Sequence, residues 1–297
     1  MDHGRGAQGA ARRGLVSACL IVGHGSVGSF LAARLAAAGE AVSVFDPEPR
    51  IPIANGRRVV DPASLAAVDY VFSCVPPEVS EAVPLLVRAA LAREAVLFDW
   101  NTASPTVKRR IADATEATTV DVALLDSLDA EVERPTLAVS GPAAGDAAEV
   151  LEGFGFRAFV AGEAVGDAAG LKYLRSIFMK GLEALVLEYA SLATDFGGAP
   201  IVRASLESNL GERFVRFMDL LIVTNRIHAG RRSRELADAL ETFSSDGARP
   251  HVAAASARVL GLAADAWAQE DAPPEDSDVA TLARHLRTAL WPEPPST

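Results

Sequence analysis

The sequence predicts a doubly wound α/β domain with a mainly parallel sheet, followed by an all-α domain. Three observations carry this expectation. Short apolar runs alternate with Ala- and Leu-rich stretches across residues 17–162. A glycine-rich turn links the first apolar run directly to the first helical stretch. Beyond residue 162 the pattern is helical, with no convincing strand. Strands that alternate with helices build parallel sheets covered on both faces, whereas consecutive helices pack on one another.

Strand candidates lie at 17–22, 41–45, 69–74, 95–99, 118–124, 136–140 and 157–161. They are mostly unbroken apolar runs, as strands buried on both faces require. The stretch SVGSFLAARLAAAG (26–39) has the length of a crossover helix. Pro84 falls inside the helical pattern after Pro77 and is expected to bend it. A long helix is predicted over 166–196, closed by Gly197 and Gly198, with further helices at about 203–225, 227–243, 250–268 and 276–290. The expected organisation is a disordered tail (1–16), a dinucleotide-binding domain (17–162), an all-helical substrate and dimerisation domain (163–291) and a loose proline-rich tail (292–297).

The net charge of −11 disfavours nucleic acid and anionic membranes as partners. No apolar stretch approaches the length of a membrane span, and the N-terminal residues lack the apolar core of a secretory signal. Only Cys19 and Cys74 occur, each in an apolar run, which suits reduced, buried thiols in a cytoplasmic protein and provides no disulfide framework or metal site.

The first strand runs into Gly23-His24-Gly25-Ser26-Val27-Gly28, and a helix follows at once. Gly23 permits a tight turn, Gly25 lets backbone approach a pyrophosphate, and Gly28 lets helix and strand pack closely. The free amides and positive dipole at the helix start suit phosphate. Asp46 closes the second strand at the spacing at which a Rossmann site holds the adenosine ribose. Its charge disfavours a 2′-phosphate, so NAD is expected over NADP, although Arg50 stands close enough to accommodate that phosphate. A plain turn at Asp46-Pro47 is the competing reading. Cys74, Val75 and Pro76 follow one later strand, and Asn101 and Thr102 another. In an open parallel sheet those strand ends face the ligand. Asn101 and Thr102 are candidates for holding the nicotinamide end or a substrate oxygen, while Ser104 before Pro105 fits a helix cap.

Hydride transfer at a carbon–oxygen bond needs a proton donor or acceptor beside the oxygen. The histidines offer no evident choice. Lys172, Ser176, Met179, Lys180 and Glu183 recur at helical spacing on one face of the long helix. A lysine crowded by cofactor and apolar side chains is shifted towards the range useful for proton exchange. A solvated helix face is the alternative reading. His228, Arg231 and Arg232 form a cationic cluster able to bind an anion, or to pair with Glu235 and Asp238.

These segments, IVGHGSVGSFLAARLAAAGEAVSVFD, FSCVPP, DWNTASP, VDVALLDS and GDAAGLKYLRSIFMKG, stand in an order that resembles the β-hydroxyacid dehydrogenase superfamily, the group of 3-hydroxyisobutyrate and 6-phosphogluconate dehydrogenases. The resemblance covers residues 18–196. HAGRRSRELADAL (228–240) resembles a sub-branch with a poorly characterised 6-phosphogluconate-dehydrogenase-like C-terminal domain. It implies that Lys172 is the catalytic lysine and that Asn101 and Thr102 lie on the loop contacting nicotinamide and substrate. It also implies a substrate set including Ser127, Ser176, Lys180, His228 and Arg231, and a homodimer through the helical domain. Two positions depart from the pattern. Leu125-Asp126-Ser127 replaces a Ser-Gly-Gly substrate loop, and Ser176 replaces an asparagine. The implied function is NAD(P)-dependent oxidation of a small hydroxy acid, or reduction of its keto form, with Lys172 as general acid/base. An imine reductase and a non-catalytic NAD(P)-binding sensor or scaffold are the rivals.

Overall fold

The computed structural model describes residues 16–291 apart from 66, 127–131 and 246. The two expected tails lie outside the described residues, except for exposed Val16.

Eight strands form one sheet in the order β3-β2-β1-β4-β5-β6-β7-β8. They are β1 (Ala18–Val22), β2 (Ala41–Phe45), β3 (Arg57–Val59), β4 (Val68–Ser73), β5 (Leu91–Asp99), β6 (Thr118–Leu124), β7 (Thr136–Ser140) and β8 (Arg157–Gly162). Every neighbouring pair is parallel except β6 and β7. The first unit's helices are α1 (Ser26–Ala37), α2 (Pro77–Ser80), α3 (Val83–Val87), α4 (Pro105–Asp113) and α5 (Ala144–Gly153). Successive residues of a strand feed opposite cores. Cys19 and Ile21 of β1 join Phe72, Phe98, Leu31 and Leu35. Leu20 and Val22 join Val71, Leu97, Val87 and Ile111. Burial on both faces is why these strands read as continuous apolar runs. Phe72 and Phe98 stack between adjacent strands with ring centroids 5.0 Å apart.

Two local expectations need correction. β3 was not expected: three residues reading Arg-Arg-Val are too short and too polar for a periodicity signal, yet they pair in parallel with Ser43–Phe45 at the sheet edge. Pro84 does more than bend a helix. α2 ends at Ser80, α3 starts at Val83, and Pro84 sits in the first turn of α3, where its missing N–H costs nothing.

The long helix α6 (Asp167–Ala193) is followed by α7 (Ala199–Leu210), α8 (Glu212–Ser245), α9 (His251–Trp267) and α10 (Val279–Leu290). The predicted break near residue 226 is absent. α8 runs through it, and the break lies at Gly211, whose φ of 85° ends α7. That left-handed conformation favours glycine. Leu187, Ile222, Leu236, Leu260, Leu282 and Leu286 centre the helical core.

The sequence pattern changes at Gly162, where β8 ends, but compact packing divides the chain between Lys172 and Tyr173. The start of α6 therefore belongs with the sheet. Ala168 is fully buried against Ala123 and Ala138. Its N–H donates to Ser140 Oγ at 3.0 Å, and the Ala169 N–H donates to Asp121 Oδ2 at 2.9 Å.

Candidate active site

β1 delivers the chain into the glycine turn. Gly23 has φ 91°, and its N–H donates to the Phe45 carbonyl at 2.8 Å. A Cβ there would lie 2.5 Å from the Cys74 carbonyl oxygen, and one on buried Gly28 would lie 2.0 Å from that of Gly23. Both positions exclude any side chain. Gly25 differs, because a Cβ there would meet nothing within 4 Å. Its lack of a side chain leaves open space in front of α1, whose N-cap it is, and no side chain caps that helix. Ser26, Val27 and Gly28 thus present first-turn amides to an uncluttered approach, which fits a dinucleotide diphosphate. His24 contributes backbone rather than ring: the imidazole is buried, with Nδ1 3.0 Å from the Ile51 carbonyl oxygen. The carboxylate of Asp46 ties the turn together. Oδ2 accepts the His24 N–H at 2.7 Å and Oδ1 the Glu48 N–H at 2.9 Å. Each oxygen retains acceptor capacity for a ribose hydroxyl.

At the carboxyl ends of β4 and β5, Asn101 is a clamp. Its Oδ1 accepts the Val75 N–H at 2.7 Å, its Nδ2 donates to Ser73 Oγ at 2.8 Å, and its own N–H donates to Asp99 Oδ1 at 3.0 Å. It is buried, so most of its polar capacity goes into joining two strand ends. Cys74 continues the same junction, donating its N–H to the Val22 carbonyl at 2.8 Å. Pro76 is the N-cap of α2. Beside Asn101, Thr102 Oγ1 accepts a hydrogen bond from Lys172 Nζ at 3.1 Å. Two residues singled out separately in the sequence, one a loop hydroxyl and one a helix amine, are brought together. Ser104 caps α4 by accepting the Val107 N–H at 3.3 Å, with Pro105 in the first turn.

One residue of this region was missed by sequence reasoning. Lys108 of α4 is 1% exposed, with Nζ 2.8 Å from the Asp99 carbonyl oxygen and 3.1 Å from both Asp99 Oδ1 and Asp121 Oδ1. Burial works against its charge, but Asp121 and Asp99 outweigh that and hold its pKa above the ordinary lysine value. Burial also pushes Asp99 up, against the pull of Lys108. A signal existed. Lys and Arg total 28, yet only positions 108, 172 and 180 are lysine. Where arginine serves almost everywhere, a retained lysine marks a place where a compact ammonium matters.

Ser127 lies outside the described residues. Nearby Asp126 is engaged locally, its Oδ2 accepting the Thr136 N–H at 2.7 Å.

In the helical unit, Lys180 Nζ lies 3.0 Å from Glu235 Oε2 and donates to Ser176 Oγ at 3.3 Å. Arg231 pairs with the same carboxylate at 2.5 Å. Arg231 of the cationic cluster is therefore met by an acid from its own helix. Burial raises the Glu235 pKa, but Lys180 and Arg231 outweigh it and hold the group below the usual range. His228 is half-buried on α8. A second buried network was not foreseen. Glu183 accepts from Asn225 at 2.6 Å and from Arg232 at 2.7 Å, and the Trp267 indole donates to Asn225 Oδ1 at 2.7 Å. Among the described residues no group of His, Cys, Asp and Glu is arranged to hold a metal ion, and no helix is long and apolar enough to cross a membrane.

A family model described as a domain of unknown function (DUF1932) matches residues 193–262. An uncharacterised 28.5 kDa protein in the 7S RNA 5′ region of Methanothermus fervidus is 30% identical over 183 residues, 61% of this chain and 70% of that protein. The solved structure of MTH1747, a conserved protein of unknown function described as similar to 3-hydroxyacid dehydrogenases, is 25% identical. It superposes with a TM-score of 0.67 over 83% of this chain and 96% of that one. Mycobacterium tuberculosis 3-hydroxyisobutyrate dehydrogenase, solved with L-serine, shares the fold at 19% identity, with a TM-score of 0.73 over 92% of this chain and 100% of that one. The sequence relative and the solved structures that share this fold agree: the chain belongs to the β-hydroxyacid dehydrogenase-like superfamily.

Proposed function

We propose that this protein is an NAD(P)-dependent oxidoreductase that interconverts a small hydroxy acid and its keto form, with Lys172 exchanging the hydroxyl proton. The contact between Lys172 Nζ and Thr102 Oγ1, at the carboxyl end of β5, carries the reading. A nicotinamide ring, when bound, takes up or returns the hydride. The chain supplies the rest. The first turn of α1 holds the diphosphate through backbone amides, and Asp46 accepts the ribose hydroxyls. Thr102 orients the amine by accepting one of its hydrogens. In oxidation, neutral Lys172 takes the substrate O–H proton as the C–H bond breaks, and in reduction its ammonium returns that proton. Hydroxy acids and keto acids screened with each cofactor, read by the absorbance of the reduced form, test this directly. Turnover of a hydroxy acid or its keto form supports the reading. Cofactor binding with no turnover across the panel favours a sensor.

The charge of Asp46 implies a preference for NAD. Asp46→Ser removes the repulsion of a 2′-phosphate and two acceptors for the ribose diol. The ratio of NADH to NADPH affinities should fall about tenfold or more, equivalent to about 1.4 kcal/mol. Fluorescence titration with both reduced cofactors measures that ratio, and an unchanged ratio removes Asp46 from the ribose site.

A further inference from the structure

Lys108 is too deep to meet a substrate, yet its contacts run in both directions towards the Thr102–Lys172 pair. On one side, Nζ binds the Asp99 carbonyl and Oδ1, and Asp99 Oδ1 also accepts the Asn101 N–H, fixing the residue that precedes Thr102. On the other side, Nζ meets Asp121 Oδ1, while Asp121 Oδ2 accepts the Ala169 N–H. Ala169 precedes Lys172 by three residues in α6, within one helical turn. The Lys172–Thr102 hydrogen bond closes the path into a ring. Ser140 braces it, accepting the Ala168 N–H at 3.0 Å and donating to Asp121 Oδ2 at 3.3 Å.

We infer that Lys108 is a positioning residue for Lys172, holding the β5 loop and the first turn of α6 in register through one buried ammonium. The ammonium donates to the Asp99 carbonyl oxygen at 2.8 Å and is ion-paired with Asp99 Oδ1 and Asp121 Oδ1, each at 3.1 Å. The broad planar fork of arginine cannot concentrate its charge on one nitrogen between three converging oxygens. That accounts for a lysine at a fully buried position in a chain with only two other lysines.

The inference rests on Lys172 as the proton-exchanging group, but its test needs no turnover. The full-length protein is acylated with isotope-coded acetic anhydride across pH 7–10, and each lysine is read by peptide mass spectrometry. Three lysines and the α-amino group make the assignment direct. Lys108→Met should raise the labelling rate of Lys172 about fivefold through local loosening, alter its pH profile, and leave Lys180 at the wild-type rate. A folded Lys108→Met protein with Lys172 unchanged, or with Lys172 and Lys180 raised equally, overturns the inference. Should that variant not fold, Asp121→Asn keeps the side-chain volume and weakens both the Lys108 and the Ala169 contacts. It should then raise Lys172 selectively, and an unchanged Lys172 is equally decisive against the inference. Activity retained in Lys172→Ala would remove the proton-exchange reading and leave the labelling result standing. A labelling failure would leave that reading intact.

Discussion

Lys172→Ala is expected to lower turnover by roughly 10²–10⁴-fold, the usual contribution of a positioned general acid or base. Cofactor affinity should stay within about twofold, because the amine meets Thr102 and the diphosphate site is built from α1 backbone. Lys172→Arg sharpens the result. It keeps a positive charge near Thr102 but cannot release a proton at accessible pH, so it should be as inactive as the alanine variant. An arginine variant with near wild-type turnover would show that charge, not proton exchange, is what the position supplies. Steady-state kinetics on any substrate found by the screen distinguishes these outcomes.

Lys108→Met should cost about 3–5 kcal/mol of stability, the range for removing one partner from a buried ionic group. The ammonium is 1% exposed and the carboxylates of Asp99 and Asp121 are fully buried, so neither acid can turn to water when the cation is lost. Asp99 Oδ2 already lacks a hydrogen-bond partner, which leaves little spare capacity to absorb the change. The triple variant Asp99→Asn, Lys108→Met, Asp121→Asn removes the uncompensated charges and should recover much of the loss. Arg216→Ala, which breaks a solvent-exposed i,i+4 pair with Glu212, is the contrast and should cost well under about 1 kcal/mol. Urea unfolding of the four proteins measures all of this. A Lys108→Met loss below about 1 kcal/mol would mean that water enters the site or that an acid there is already neutral.

The sheet and the glycine turn were legible in the sequence because their causes are local. Strands covered on both faces must be apolar throughout, and a turn that admits no Cβ at positions 23 and 28 must be glycine. β3 was not legible, because a three-residue edge strand buries too little to impose a pattern. The break at Gly211 depended on one backbone dihedral, whereas the predicted break near Arg226 mistook a polar stretch of a continuous helix for a boundary. Within the site, the types of residue pointed to Thr102 and Lys172, which meet. The same reasoning offered Asn101 to a ligand without foreseeing that its side chain also joins the ends of two strands through Val75 and Ser73. Lys108 escaped notice because its partners lie on β5 and β6, and no spacing rule links them. Only the scarcity of lysine pointed to it.

A crystal structure of the protein grown with NADH is the most direct test. The diphosphate is expected against the amides of Ser26 and Val27 in the space before Gly25, with the reduced ring within reach of Thr102 and the Lys172 amine. Density for the cofactor elsewhere, or a saturated crystal with nothing at that turn, would contradict it.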